Sequence, residues 1–149
     1  MKNILSQFQL IDSNLVSIEF KVYSGVPTET SNVSIEIGRS FEDTWSNDER
    51  EATCECRVAI KSVWKNEDSS IEVCTASCVI RGVTKGVGIE RAGEAERYLH
   101  ANAISFLYSK ARAFIELVSY SSEVGVKSLP AIVPLEMLDN NEDETKNPD

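Results

Sequence analysis

The chain reads as an α+β domain: a four-stranded antiparallel sheet with a long C-terminal helix packed on it. Three observations predict this. From Glu94 to about Ser122 there is no proline or glycine, and Leu99, Ala103, Phe106, Leu107, Ala111, Phe114 and Val118 recur at spacings of three and four, which places them on one helical stripe. Upstream, four segments carry the two-residue alternation of half-buried strands. The links are of hairpin length and the strands all precede the helix, an order that belongs to α+β rather than to alternating βα units.

The first strand lies within Ser6 to Tyr23, where Val16, Ile18, Phe20 and Val22 alternate with Ser17, Glu19 and Lys21. Ser24 to Asn32 is a connector rich in glycine, proline and hydroxyl residues. The second strand runs from Val33 to Phe41, with Val33, Ile35 and Ile37 inward. Glu42 to Glu51 is polar, with Trp45 isolated in it. The third strand spans Ala52 to Trp64 and puts Cys54, Cys56, Val58 and Ile60 on one face. Lys65 to Ser70 is a hairpin loop. The fourth strand runs from Ile71 to about Val83, and both its faces are semi-apolar, as a bulge or two-sided burial would produce. Gly82, Gly86 and Gly88 then break the chain before the helix.

Such a helix is roughly 40 Å long at 1.5 Å per residue. Ile104, Tyr108, Ile115 and Leu117 widen its apolar stripe beyond one face, so it needs two burying surfaces: the chain's own sheet and a second subunit. After it, Leu129 to Leu138 is compact and apolar, with two prolines, and admits a short helical turn from Leu135. The chain divides into one domain, residues 1–139, and an acidic disordered tail, residues 140–149.

The chain has 149 residues and 42% hydrophobic content, enough for a core. Net charge is −9, which disfavours phosphate contacts and excludes nucleic acid as a natural partner. Met1 to Phe20 lacks the apolar run of a secretory signal, and no segment approaches the length of a membrane span, so no membrane insertion is expected. With four cysteines, this predicts reduced thiols in the cytoplasm.

Cys54 and Cys56 share one strand face, and so do Cys74 and Cys78. Paired strands could gather all four for tetrahedral zinc, although mid-strand cysteines also serve as small buried hydrophobes. The core reading is preferred, and neither a metal nor a cofactor is expected. His100 is the only histidine and has no nucleophile in view, so a catalytic triad has no support. The glycines lack the lysine and hydroxyl residue of a phosphate loop. No residue is assigned a catalytic role.

Three strings resemble the SecB protein-export chaperones: FQL followed by VSIEF in the first strand, GVTKGVGIE at the exit of the fourth, and FLYSKARAFIELVS followed by SLPAIVPLEML. Ala111, Arg112, Ile115, Val118, Ser119 and Pro130 fall on family positions. The resemblance implies a homotetramer, a dimer of dimers with long helices sandwiched between sheets, and on that match Phe106, Tyr108, Phe114 and Ile115 serve the oligomer interface. It implies an ATP-independent holdase for unfolded polypeptides or preproteins in export. It also implies docking to the translocase motor ATPase, with Glu19 on the matching outer position. Ser109 departs from the family's usual proline, and the final helix is shorter. A dedicated adaptor for one partner, such as an antitoxin or a phage or host factor, is the alternative.

A holdase needs apolar surface that accepts many sequences by non-directional burial. Apolar residues outside the strand–helix core supply the candidates: Val26 and Pro27 in the first connector, Phe41 and Trp45 after the second strand, and Leu135, Met137 and Leu138 near the end. Taken singly, each is equally readable as cover for the core's edge.

Overall fold

The structure, a computed structural model, describes residues 7–26, 28–67, 71–91 and 94–138. Pro27 and the acidic tail lie outside the described residues. The elements follow in the order β1 (Phe8–Val22), β2 (Asn32–Trp45), β3 (Glu51–Lys65), β4 (Glu72–Val87) and α1 (Ala95–Ser119). The strands form one antiparallel sheet in the order β1-β4-β3-β2, and α1 packs on β4, β3 and β1. This is the α+β architecture expected from the alternation and the long apolar stripe.

The two central strands show why the alternation was readable. Cys54, Cys56, Val58 and Ile60 on β3 and Cys74, Ala76, Cys78 and Ile80 on β4 are all buried under the helix. From the helix, Leu99, Ala103, Leu107, Ala111 and Ile115 meet them in one core. At roughly 25 cal/mol per Å² of apolar area, this layer is the main stabilising term of the fold.

The edge strand β1 departs from its expected pattern. Register shifts between Leu10 and Asp12 and between Leu15 and Ser17 make Ile11 and Val16 the extra residues of two bulges. Each bulge inverts the side-chain parity, so Ile18, Phe20 and Val22 pack on the core while Val16 is exposed. Leu15 faces the helix side opposite Ile80.

β2 and β4 are longer than their sequences suggested. β2 continues through the polar run to Trp45. β4 continues to Val87, so Gly82 and Gly86 lie inside the strand rather than breaking it. A Cβ on Gly82 would come within 2.6 Å of Leu107 Cδ2 and 3.1 Å of the Asp12 carbonyl oxygen. The glycine therefore serves the close approach of α1 and β1 to β4. Gly88 makes the turn out of the strand with φ +70°.

The helix ends at Ser119 because its hydroxyl closes the last turn. Ser119 Oγ donates to the Ile115 carbonyl at 2.7 Å and accepts from the Lys127 amide at 2.8 Å. The chain thereby folds back, Tyr108 donates its hydroxyl proton to the Pro130 carbonyl, and Leu129 is buried. These bonds give Ser119 and Pro130 a structural task. Residues 134–138 form the short helical turn, with Pro134 at the first position, where its missing N–H costs nothing.

Candidate polypeptide-binding surface

The inward face of β2 is set by its register. Arg39, Phe41, Asp43 and Trp45 stand opposite the buried residues Val58, Cys56, Cys54 and Ala52. The body of α1 lies over the other three strands, so this row is left at one margin of the sheet. Two elements reach it. The Arg39 guanidinium donates to the Met137 carbonyl, which brings the 134–138 turn against β2. From the helix, the His100 ring stacks on Phe41, with centroids 4.0 Å apart and planes 4° from parallel.

His100 is therefore not isolated. Its Nε2 lies 2.6 Å from Asp43 Oδ2, and Cys54 is close enough for Sγ, Asp43 oxygen and His100 nitrogen to lie within 4.8 Å of one another. Burial acts to raise the Asp43 carboxyl, but the hydrogen bond to His100, with the Cys54 thiol close by, holds it below its ordinary value. Burial, reinforced by the Asp43 carboxylate, pushes the Cys54 thiol up. A thiol held protonated in this way is the reverse of an activated nucleophile. The partners sit 46 and 57 residues from His100, and the only sequence signal for them was a lone aspartate at an inward position of a strand that continues past Phe41.

The four thiols do not gather. Cys54 faces Thr84 and Cys74 faces Trp64, ten residues apart along β4, or about 33 Å at 3.3 Å per residue. Cys56 faces Gly82, four residues from Cys78, or about 13 Å. The antiparallel register that pairs β3 with β4 is what separates them. All four are free and buried, and burial pushes Cys56 up to about 12 and Cys78 up to about 11.

The expected client-binding residues fall into two groups. Phe41, Trp45, Leu135, Met137 and Leu138 are half-buried, and the Arg39–Met137 bond joins the strand and turn that carry them. Trp45 also holds the Arg91 guanidinium 5.5 Å above its ring. Val26 is half-buried at the other end of the sheet. There the crossover is tied down by Lys127 Nζ donating to Thr30 Oγ1 at 2.7 Å. Of the residues expected at a subunit interface, Tyr108 and Ile115 are buried within the chain itself, because the helix faces its sheet over a wider arc than one stripe. Phe106 and Phe114 are half-buried, and Leu117 and Tyr120 beside them are 70% and 73% exposed. Glu19 is exposed on β1, opposite Ser77.

The outer face of the sheet is different in kind. A concavity of about 510 Å³ is lined mainly by polar and charged residues, among them Asp12, Glu42, Glu55, Arg57 and Arg81, with Phe41 and Val83 as apolar members, a mixed-charge surface unlike the mostly apolar wall of a small-molecule site. Among the described residues, no helix is long and apolar enough to cross a membrane.

No protein-family model and no curated protein matches the chain. Its fold is nonetheless found in solved structures. A SecB-like chaperone of Mycobacterium tuberculosis, solved in complex with a peptide from an antitoxin, superposes with a TM-score of 0.55 over 84% of this chain and 90% of its own, at 12% identity. A protein of unknown function from Streptococcus agalactiae superposes with a TM-score of 0.56 over 83% of this chain and 97% of its own, at 10% identity. The chain shares its fold with these two structures.

Proposed function

We propose that this protein is an ATP-independent holdase that binds non-native polypeptide segments along the margin of the sheet between β2 and the 134–138 turn. The observation that carries this reading is the inward row of β2. It holds half-buried aromatic residues at Phe41 and Trp45, lies beyond the main cover of α1, and is tied through Arg39 to the turn that carries Leu135, Met137 and Leu138. An unfolded segment offers apolar side chains without fixed order, and a partly covered aromatic and methionine surface accepts them without sequence specificity. The peptide-bound chaperone with the same fold supports polypeptide as the ligand class. No side chain has a catalytic role in this reading.

The assembly belongs to the same proposal. Phe106, Phe114, Leu117 and Tyr120 form an apolar margin on α1 that a second copy would cover, as in a tetramer built from dimers. A cytoplasmic setting, delivery of preproteins for export, and docking of the exposed Glu19 face to a translocase motor ATPase complete it.

A second reading, a dedicated adaptor for one partner, has one observation in its favour: the similar chaperone was solved with a peptide of an antitoxin. Aggregation assays on several unrelated reduced clients separate the two. Suppression of all of them near one assembly per client supports the generalist. Protection of none, with Phe41→Ser and Leu135→Ser leaving the result unchanged, overturns it.

A further inference from the structure

We infer that Asp43, Cys54 and His100 form a zinc site that clamps α1 onto the β2 margin of the sheet. The three come from β2, β3 and α1, and no two are neighbours in sequence. They offer carboxylate, thiolate and imidazole, the donor types that zinc takes in four-coordinate protein sites.

The geometry is close to what the ion requires. Zinc binds these atoms at about 2.0 to 2.3 Å, so donors around one ion stand roughly 3.5 Å apart. Here all three donor atoms lie within 4.8 Å of one another. The Asp43–His100 contact of 2.6 Å needs to open by only about 1 Å to admit the ion between them.

A second observation points the same way. Asp43 Oδ1 is buried and has no hydrogen-bond partner. An unsatisfied buried carboxylate oxygen is costly in an apolar setting, and a cation beside it removes that cost. The charges also close: zinc carries two positive charges, the Cys54 thiolate and the Asp43 carboxylate carry two negative ones, and the imidazole is neutral. The thiol proton leaves to solvent as the metal binds. Phe41 stacked on the ring fixes the imidazole plane, as supporting groups around metal-bound histidines do. The fourth position is left to water. Glu96, one helical turn before His100, is also a neighbour of Asp43.

The site is distinct from the four-cysteine cluster, which the strand register rules out. It is also independent of the holdase reading, since a clamp between helix and sheet needs no client. The test uses cobalt(II) as probe on the full chain, reduced and stripped with a chelator. One equivalent of cobalt should give an intense near-ultraviolet thiolate-to-metal band, and zinc should abolish that band by displacement. Cys54→Ser and His100→Gln should each lose the band and weaken zinc binding at least about tenfold, while Cys78→Ser, on the same sheet face but elsewhere, keeps both. Circular dichroism shows whether each variant is folded. A folded wild-type protein with no stoichiometric band overturns the site. So does a band that survives Cys54→Ser.

Discussion

The middle of the sheet and its β2 margin are built from the same pleat and hold different things. Under α1, the inward positions of β3 and β4 are filled mostly by small or aliphatic side chains, thiols and glycines, with Trp64 at one end, and the layer is sealed. At the margin, the inward row of β2 carries a guanidinium, a carboxylate and two aromatic rings, each answered by one specific partner or left half-covered. The helix decides the difference. Where it lies, burial is non-directional and residue choice is governed by volume. Where it stops, polar groups survive only by pairing.

That contrast can be broken most severely at its centre. Leu107→Ala should cost about 3 kcal/mol in urea unfolding, since Leu107 is fully buried. Gly82→Ala alone should cost about 1 to 3 kcal/mol, because the new methyl would press on Leu107 and the Asp12 carbonyl. Together the two should cost clearly less than their sum, since the shortened side chain makes room. Additive costs would mean the helix does not approach Gly82 closely.

At the margin, losses should be smaller and paired. In metal-free protein, Asp43→Asn and His100→Gln should each cost about 2 kcal/mol, the range of hydrogen bonds to charged groups, and the double variant little more than either alone. Ser119→Ala should cost about 1 kcal/mol by leaving the Lys127 amide without its acceptor. Phe41→Ala should change stability less than Leu107→Ala yet reduce client protection more, which inverts the order of the two regions when the readout is function.

The smallest effect on the folded chain should come from the exposed helix margin. Leu117→Ser with Tyr120→Ser should leave the circular dichroism unchanged and lower the native mass by light scattering. The sealed layer should also shield its thiols: at pH 8, Cys56 and Cys78, pushed up to about 12 and about 11, should react with a disulfide reagent only after denaturation.

The same contrast explains what could be read from the chain. The β3 alternation was legible because its inward residues from Ala52 to Ile60 are all apolar and buried. The stretch after Phe41 was not, because Asp43 faces inward for the sake of a histidine 57 residues away, and a polar inward residue reads as the end of a strand. Val16 was misplaced because parity counts only while pairing is regular, and β1 inserts an extra residue twice. Gly82 and Gly86 read as breakers until the helix and Ile89 pressing on them gave the absent side chains a reason. Of the proposed binding surface, the apolar residues could be picked out one by one, while the approach of the 134–138 turn to β2 depends on Arg39 and a carbonyl 98 residues later.

The two rims of the sheet also differ in what they present to another backbone. Along β2 the ladder with β3 runs from Asn32 to Trp45 without a register break, so its free edge offers evenly phased amides and carbonyls over the whole strand. Along β1 the phase slips at Ile11 and again at Val16, and an extended chain laid beside it stays in step only for the short run from Ser17 to Val22. On the proposed holdase reading, strand exchange with bound chains would be a constant hazard. This sheet is receptive on one side and out of phase on the other, so growth from rim to rim stalls at the slipped edge.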